Sequence, residues 1–138
     1  MKQVADSNMV KNAVGEDNYD ALQHPPMLEA SEDHPLWPLA RKALMEVYDP
    51  EIPTNIYELG LILKVILTDD ADAGVTDVYV EMTLTSPGCP VAQEMPGMVQ
   101  SAILPIDGIG EVTVDIVWDP PWTPKFMSET AKMELNMF

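Results

Sequence analysis

The chain has 138 residues, enough for one domain, and 46% of them are hydrophobic, which suffices for an ordinary core. Its 23 Asp and Glu against 7 Lys and Arg leave a net charge of −16. Such a surface repels phosphate backbones and anionic headgroups, which argues against nucleic acid and membrane surfaces as partners; it fits basic proteins or cations, or serves simply as a solubilising coat.

The one cysteine, Cys89, excludes an internal disulfide, a Cys-rich zinc site, and an iron–sulfur cluster held by this chain's thiols alone. No apolar run is long enough to span a bilayer, and the start, "MKQVADSNMVKNAVGEDNYD", has no apolar leader. The expectation is a cytoplasmic protein whose thiol stays reduced.

In chain order, residues 1–33 read as a polar, acidic, disordered tail that ends in the proline-broken "QHPPMLEASEDHP". His24 and His34 fall in it or at its edge, where loop histidines are the simpler reading than metal ligands. The folded domain is expected over 34–138. Leu36, Ala40, Ala43, Leu44 and Val47 share one helical face, with Ser31 or Asp33 as cap, and Asp49 before Pro50 ends the helix. "IYELGLILKVILT" reads as a strand and "DDADAG" as a turn. "DVYVEMTLT" is a second strand with Val78, Val80, Met82 and Leu84 on one face.

Met95, Met98, Val99, Ala102 and Ile103 form a helical stripe. Pro96 implies either a kink or a helix that starts near 95. "EVTVDIVW" alternates with Val112, Val114, Ile116 and Trp118 inward. Thr123 and Pro124 then open a last helix. The order is helix, strand, strand, helix, strand, helix. A strand that returns through a helical crossover lies parallel to its predecessor. The fold class is α+β, a small mixed three-stranded sheet with helices packed mainly on one face.

Cys89 lies between Gly88 and Pro90 at the strand-to-helix junction. A helix starting at Pro90 would lower the thiol pKa through its unpaired N–H groups, and Gly88 would clear space beside the sulfur. A buried cysteine filling a small gap is the alternative, and both readings stand open. With both histidines in the tail, a Cys–His dyad is not expected and no catalytic residue is assigned. Asp49 and Glu51, in the stiff connector before the first strand, are the nearest polar candidates for a site with Cys89. In an antiparallel hairpin the start of one strand and the end of the next lie side by side, so all three are expected at one end of the sheet.

The stretches "VYDPEIPTNIYELGLI" (47–62), "VEMTLTSPGCPVAQEMPGMV" (80–99) and "VDIVWDPPWTPKFMSETAKMELNMF" (114–138) together resemble the SufT-like iron–sulfur cluster assembly family, a small domain long catalogued as of unknown function and related to phenylacetate-pathway PaaD-like proteins. The resemblance spans roughly residues 36–138. It implies a fold similar to the C-terminal domain of NifU-type scaffolds. It also implies a non-enzymatic accessory role in cluster assembly or delivery, with the assembly machinery and client apo-proteins as partners.

Carried over residue by residue, the resemblance sets the Asp-Pro-Glu motif on Asp49, Pro50 and Glu51. The Thr-x-x-x-Cys motif falls on Thr85 and Cys89, and the tryptophan segment runs from Trp118 to Trp122. Cys89, Asp49 and Glu51 are then the candidate metal or cluster ligands. Thr85, Ser86, Gly88 and Pro90 would shape the site, and Trp122 is the candidate partner contact.

The chain departs from the NifU-type CxxC pair, with Ser86 where the first cysteine would stand. The resemblance therefore implies no permanently bound cofactor but a transient iron or iron–sulfur cluster. The missing thiolates would come from a second Cys89 in a homodimer, from a partner, or from glutathione. Phenylacetate-pathway relatives carry a cysteine-rich C-terminal extension; this chain ends at "LNMF", which points to the SufT branch. An adaptor with a structural Cys89 and a component of a multi-subunit ring oxygenase are the alternative functions.

Overall fold

The structure is a computed structural model and describes residues 24–49, 52–85 and 93–135. Four strands form one mixed sheet in the order β1-β2-β3-β4: β1 Glu29–Ala30, β2 Ile62–Asp70, β3 Val75–Met82 and β4 Ile109–Ile116. β2 and β3 are the expected antiparallel hairpin, with Ile62 opposite Met82 and Asp70 opposite Val75. Gly74, at φ +70°, closes its turn in a conformation that glycine adopts without strain. β4 runs parallel to β3 after the crossover helix α2, Met95–Ile103, and α1, Trp37–Leu44, packs against α2.

One face of the sheet builds the core. On β3, Thr76, Val78, Val80 and Met82 are buried while Val75, Asp77, Tyr79 and Glu81 are half-exposed, a period of two. Val65, Leu67 and Val112 join them, under Ala40, Ala43 and Leu44 of α1 and Met95, Val99 and Ile103 of α2. Burying such a side chain contributes roughly 1.5–3 kcal/mol. The opposite face is polar: the Tyr79 hydroxyl donates to Glu81 Oε2 at 2.7 Å and lies 3.2 Å from Asp115 Oδ2. Those two carboxylates, Glu81 foremost, raise the phenol's pKa.

Several expectations are corrected. The sheet has four strands rather than three, because the segment read as tail up to residue 33 supplies β1, which pairs parallel to β2. Leu28 is buried beside it, and Ser31 caps nothing; its Oγ accepts the Leu67 amide at 3.1 Å. His34 is tied in on both sides. Its Nδ1 accepts the Leu36 amide at 3.0 Å, so the neutral ring carries its proton on Nε2, which donates to Asp69 Oδ1 at 2.7 Å. That bond, and the one from Thr76, hold the Asp69 carboxyl below the usual range. A short edge strand has too little hydrophobic period to be seen, since its stability comes from a partner strand far along the chain.

The first long strand is shorter than the run "IYELGLILKVILT". Residues 56–61 form a buried turn, and pairing starts at Ile62. Gly60, at φ +79°, makes that turn possible, and a Cβ there would run into the Phe126 carbonyl. Pro96 sits in the first turn of α2, so the helix starts at Glu94–Met95 without the kink. The last helix is two pieces. Thr123 Oγ1 accepts from the Lys125 amide to open the 3₁₀ turn Pro124–Phe126, and Ser128 Oγ accepts from Ala131 to start α3, Glu129–Glu134. Trp118, expected inward, is half exposed.

The docked N-terminal segment sets a test. A chain beginning at 34 is expected to unfold at lower temperature than one beginning at 24, because it loses β1, Leu28 and the Ser31 bond. In the full chain, Leu28→Ala is expected to cost about 2–3 kcal/mol in urea unfolding. Equal melting temperatures for the two shortened chains would show that β1 contributes no stability.

Candidate functional site

Parallel pairing puts the carboxyl ends of β3 and β4 on one side of the sheet, and the antiparallel hairpin adds the start of β2. The exiting chains stay in register there. The Thr83 amide donates to Leu61 O at 2.8 Å and the Val117 amide to Met82 O at 2.8 Å. The loops leaving this edge enclose an apolar groove of about 250 Å³ lined by Thr83, Leu84, Thr85, Trp118, Pro121 and Trp122.

The groove is built on a buried polar knot. Glu58, 4% exposed, lies in the turn before β2. Its Oε2 accepts from Asn55 Nδ2 at 3.1 Å and its Oε1 from Ser128 Oγ at 3.1 Å, while its carbonyl accepts the Ser128 amide at 2.7 Å. Asn55 Oδ1 closes the turn by accepting the Glu58 amide at 2.8 Å. Trp122 joins through its indole, Nε1 donating to Leu59 O at 2.7 Å. The C-terminal segment is thus bound to the 54–61 turn by hydrogen bonds from Ser128 and Trp122 and by the close approach at Gly60, and Trp122 forms a fixed wall. A buried carboxylate is tolerated only with such donors, each worth about 1.5–3 kcal/mol when the partner is charged.

Of the residues singled out in the sequence, Thr85 and Trp122 meet in the groove. Asp49 is not among its lining residues. Its Oδ1 accepts the Ile52 amide at 2.9 Å and its own amide donates to Thr54 O at 3.3 Å, so it shapes the connector turn. Glu51, Ser86, Gly88, Cys89 and Pro90 lie outside the described residues. The α-helical register begins at Met95, so the N-terminus of α2 is six positions along the chain from Cys89. Among the described residues, no group of three His, Cys, Asp or Glu side chains is placed to hold one ion.

Glu58 and Ser128 escaped the sequence reading. The signal that was present is a lone acid inside the apolar run "IYELGLIL", which a buried partner alone makes affordable. Thr83 and Thr130 bury hydroxyl oxygens that lack a partner among the described residues, a property no local sequence pattern carries.

Residues 40–116 match the model of the iron–sulfur cluster assembly protein family. The chain belongs to this family. It is 43% identical over 95 residues to an Fe-S protein maturation auxiliary factor of Porphyromonas gingivalis, a match covering 69% of this chain and 86% of the relative. It is 42% identical over 91 residues to the Fe-S protein maturation auxiliary factor SufT of Staphylococcus aureus, covering 66% of this chain and 98% of that one. Among solved structures it is similar to a domain of unknown function from Bacillus anthracis, with a TM-score of 0.62 and 32% identity over 73% of this chain and 92% of the other. The α+β class and the family read from the sequence are thereby borne out.

Two tests address the knot. Ser128→Ala removes both the α3 cap and a donor to Glu58, and is expected to cost about 2–3 kcal/mol in urea unfolding. Glu134, in the last turn of α3, has a carboxyl raised to about 7 by burial and then by the charge of Glu58, from an ordinary value of 4.5. Between those values the folded protein keeps a proton that the unfolded chain has released, so stability is greatest below the window and falls as pH rises through it. Glu134→Gln is expected to match wild type near pH 4.5 and to melt higher at pH 8. An unchanged difference across that range would place no pH dependence on Glu134.

Proposed function

We propose that this protein is an accessory factor in iron–sulfur cluster assembly or delivery, acting by binding and handover rather than by catalytic turnover. The observation that carries the reading is family membership across 40–116, a span that includes the Cys89 segment, together with 40–43% identity to proteins named Fe-S maturation auxiliary factors. Proteins named iron–sulfur cluster carrier match at lower identity, 31–32%. An Escherichia coli protein named as a component of 1,2-phenylacetyl-CoA epoxidase matches at 30% and over only 58% of its length, which gives the oxygenase alternative less support.

In this reading Cys89 is the cargo-contacting ligand. Its thiol loses a proton to solvent and the sulfur binds iron, while the remaining positions on the metal are filled by thiolates of the donor or the client. One cysteine makes the hold incomplete, and that suits transfer, because exchange of a few ligands releases the cluster. Thr85, Ser86, Gly88 and Pro90 neighbour the thiol in sequence and shape its site. Asp49 orders the turn leading to Glu51, whose carboxylate offers an oxygen donor. The assembly machinery and client apo-proteins are the partners.

Anaerobic incubation with iron and sulfide, followed by absorption spectroscopy, tests the reading. Wild type with a thiol co-ligand is expected to develop charge-transfer bands that Cys89→Ser lacks, with unchanged circular dichroism for the variant. In cells, Cys89→Ser is expected to lower the activity of iron–sulfur client enzymes. Normal client activity with Cys89→Ser would remove the thiol from the function and leave the adaptor alternative. Alkylation by iodoacetamide gives an independent readout: labelling of the native protein is expected, and labelling on denaturation alone would assign Cys89 to packing.

A further inference from the structure

We infer that the free edge of β4 is a docking site where an extended segment of a partner protein adds as a further strand, with basic side chains on the open face of the sheet and apolar ones on the helix face. This rests on the accessory-factor reading and names the chemistry of the partner. The two edges of the sheet differ. One is β1, only two residues long; the other is β4, eight residues with neither proline nor lysine. Short edge strands, prolines and lysines are what commonly blunt an edge against pairing with another chain, and β4 has none of these.

The hydrogen bonds fix which backbone groups that edge presents. The Val117 amide donates to Met82 O of β3, and successive residues of a strand turn their N–H and C=O groups to opposite sides. Val112, Val114 and Ile116 therefore turn theirs away from β3. Gln100 of α2 marks the same side: its Nε2 donates to Val112 O at 2.9 Å and closes the start of the edge. Beyond it, among the described residues, no strand pairs with Val114 and Ile116. Their side chains lie on the core face, yet they are half-buried, whereas Val78, Val80 and Met82 of the neighbouring strand are 2% exposed or less. An added strand supplies backbone partners and apolar cover together.

Charge sets the composition of that strand. β3 and β4 carry Asp77, Glu81, Glu111 and Asp115 and no Lys, Arg or His, and α2, the helix packed on β4, carries no charged residue. Glu111 and Asp115 are exposed on β4 itself, directly beside an added strand. Lys64 stands opposite Glu81 on β2, three strand spacings or about 14 Å from an added strand, beyond the roughly 8 Å screening length of physiological salt. Lys125 adjoins Phe126, which packs on Gly60 ahead of β2. A second copy is disfavoured. Two β4 edges paired about a two-fold axis set acids of one chain opposite or diagonal to those of the other, with −16 on each chain. A segment that alternates basic and apolar residues meets Glu111 and Asp115 on one face and Val114 and Ile116 on the other.

Fluorescence anisotropy and hydrogen exchange on the full chain test the inference with a labelled peptide of alternating lysine and valine. Binding is expected to protect the Val114 and Ile116 amides and to leave those of Thr113 and Asp115, which face β3, unchanged. The same peptide with its central amides N-methylated, or with glutamate for lysine, is expected to bind at least about tenfold more weakly. Val114→Pro removes an edge donor without touching the β3 ladder, and is expected to weaken binding about tenfold with unchanged circular dichroism. Asp115→Lys keeps the backbone intact and is expected to shift the preference from the lysine peptide toward the glutamate peptide. Undiminished binding of the N-methylated peptide, or unchanged exchange at Val114 and Ile116, overturns the added strand. Sedimentation showing a dimer that Val114→Pro splits overturns it in favour of a second copy. Cys89→Ser is expected to bind the peptide as wild type does. Peptide binding therefore reports on the edge and the client-enzyme phenotype of Cys89→Ser on the thiol, and failure of either idea is read separately.

Discussion

Glu58 is the constraint around which the groove end of the molecule is arranged. Its carboxylate is buried, and a carboxylate out of water is stable only with hydrogen-bond donors, here from Asn55 and Ser128. Asn55 lies three residues upstream in the same turn and Ser128 lies 70 residues away. Satisfying one charge therefore closes the turn before β2 and fastens the chain's C-terminal segment to it. The same fastening brings Phe126 against Gly60 and Trp122 against Leu59, and starts α3 from Ser128. Loss of this knot would free the segment that forms one wall of the groove.

The sheet places the groove by topology. A parallel β3–β4 pair must exit on one side, and the hairpin returns β2 to that side, so three chain segments emerge together with nothing in the sheet to cover them. The Thr83 and Val117 amides extend the hydrogen bonding just past the strand ends, and Thr85 and Trp118 beyond them both line the groove. The core lies on one face under α1 and α2, leaving the other face and this edge to solvent.

Much of the fold was legible because its signals are local. β3 alternates strictly, α2 repeats at three and four residues, and Pro124 after Thr123 marks a start, each a consequence of how side chains project from one regular element. β1 was not legible, since two residues acquire strand structure only by pairing with Lys64 and Val65. The stretch 56–61 misled because its apolar residues are as buried as those of a central strand, yet Gly60 bends it into a turn that the C-terminal segment then covers.

The candidate site divides along the same line. Composition and motif alone determined the acidic surface, the single thiol, the family, and the spacing of Thr85 and Cys89, because each is a property of residue identity and order. Tertiary structure decided that Trp118 is half exposed although the run leading to it alternates inward: β4 ends at Ile116, two residues before it. It also decided that Trp122 joins Thr85 in one groove and that Asp49 is engaged by its own turn. The groove depends on which segments tens of residues apart share hydrogen bonds, and no local pattern encodes the distant partner of a buried donor or carboxylate.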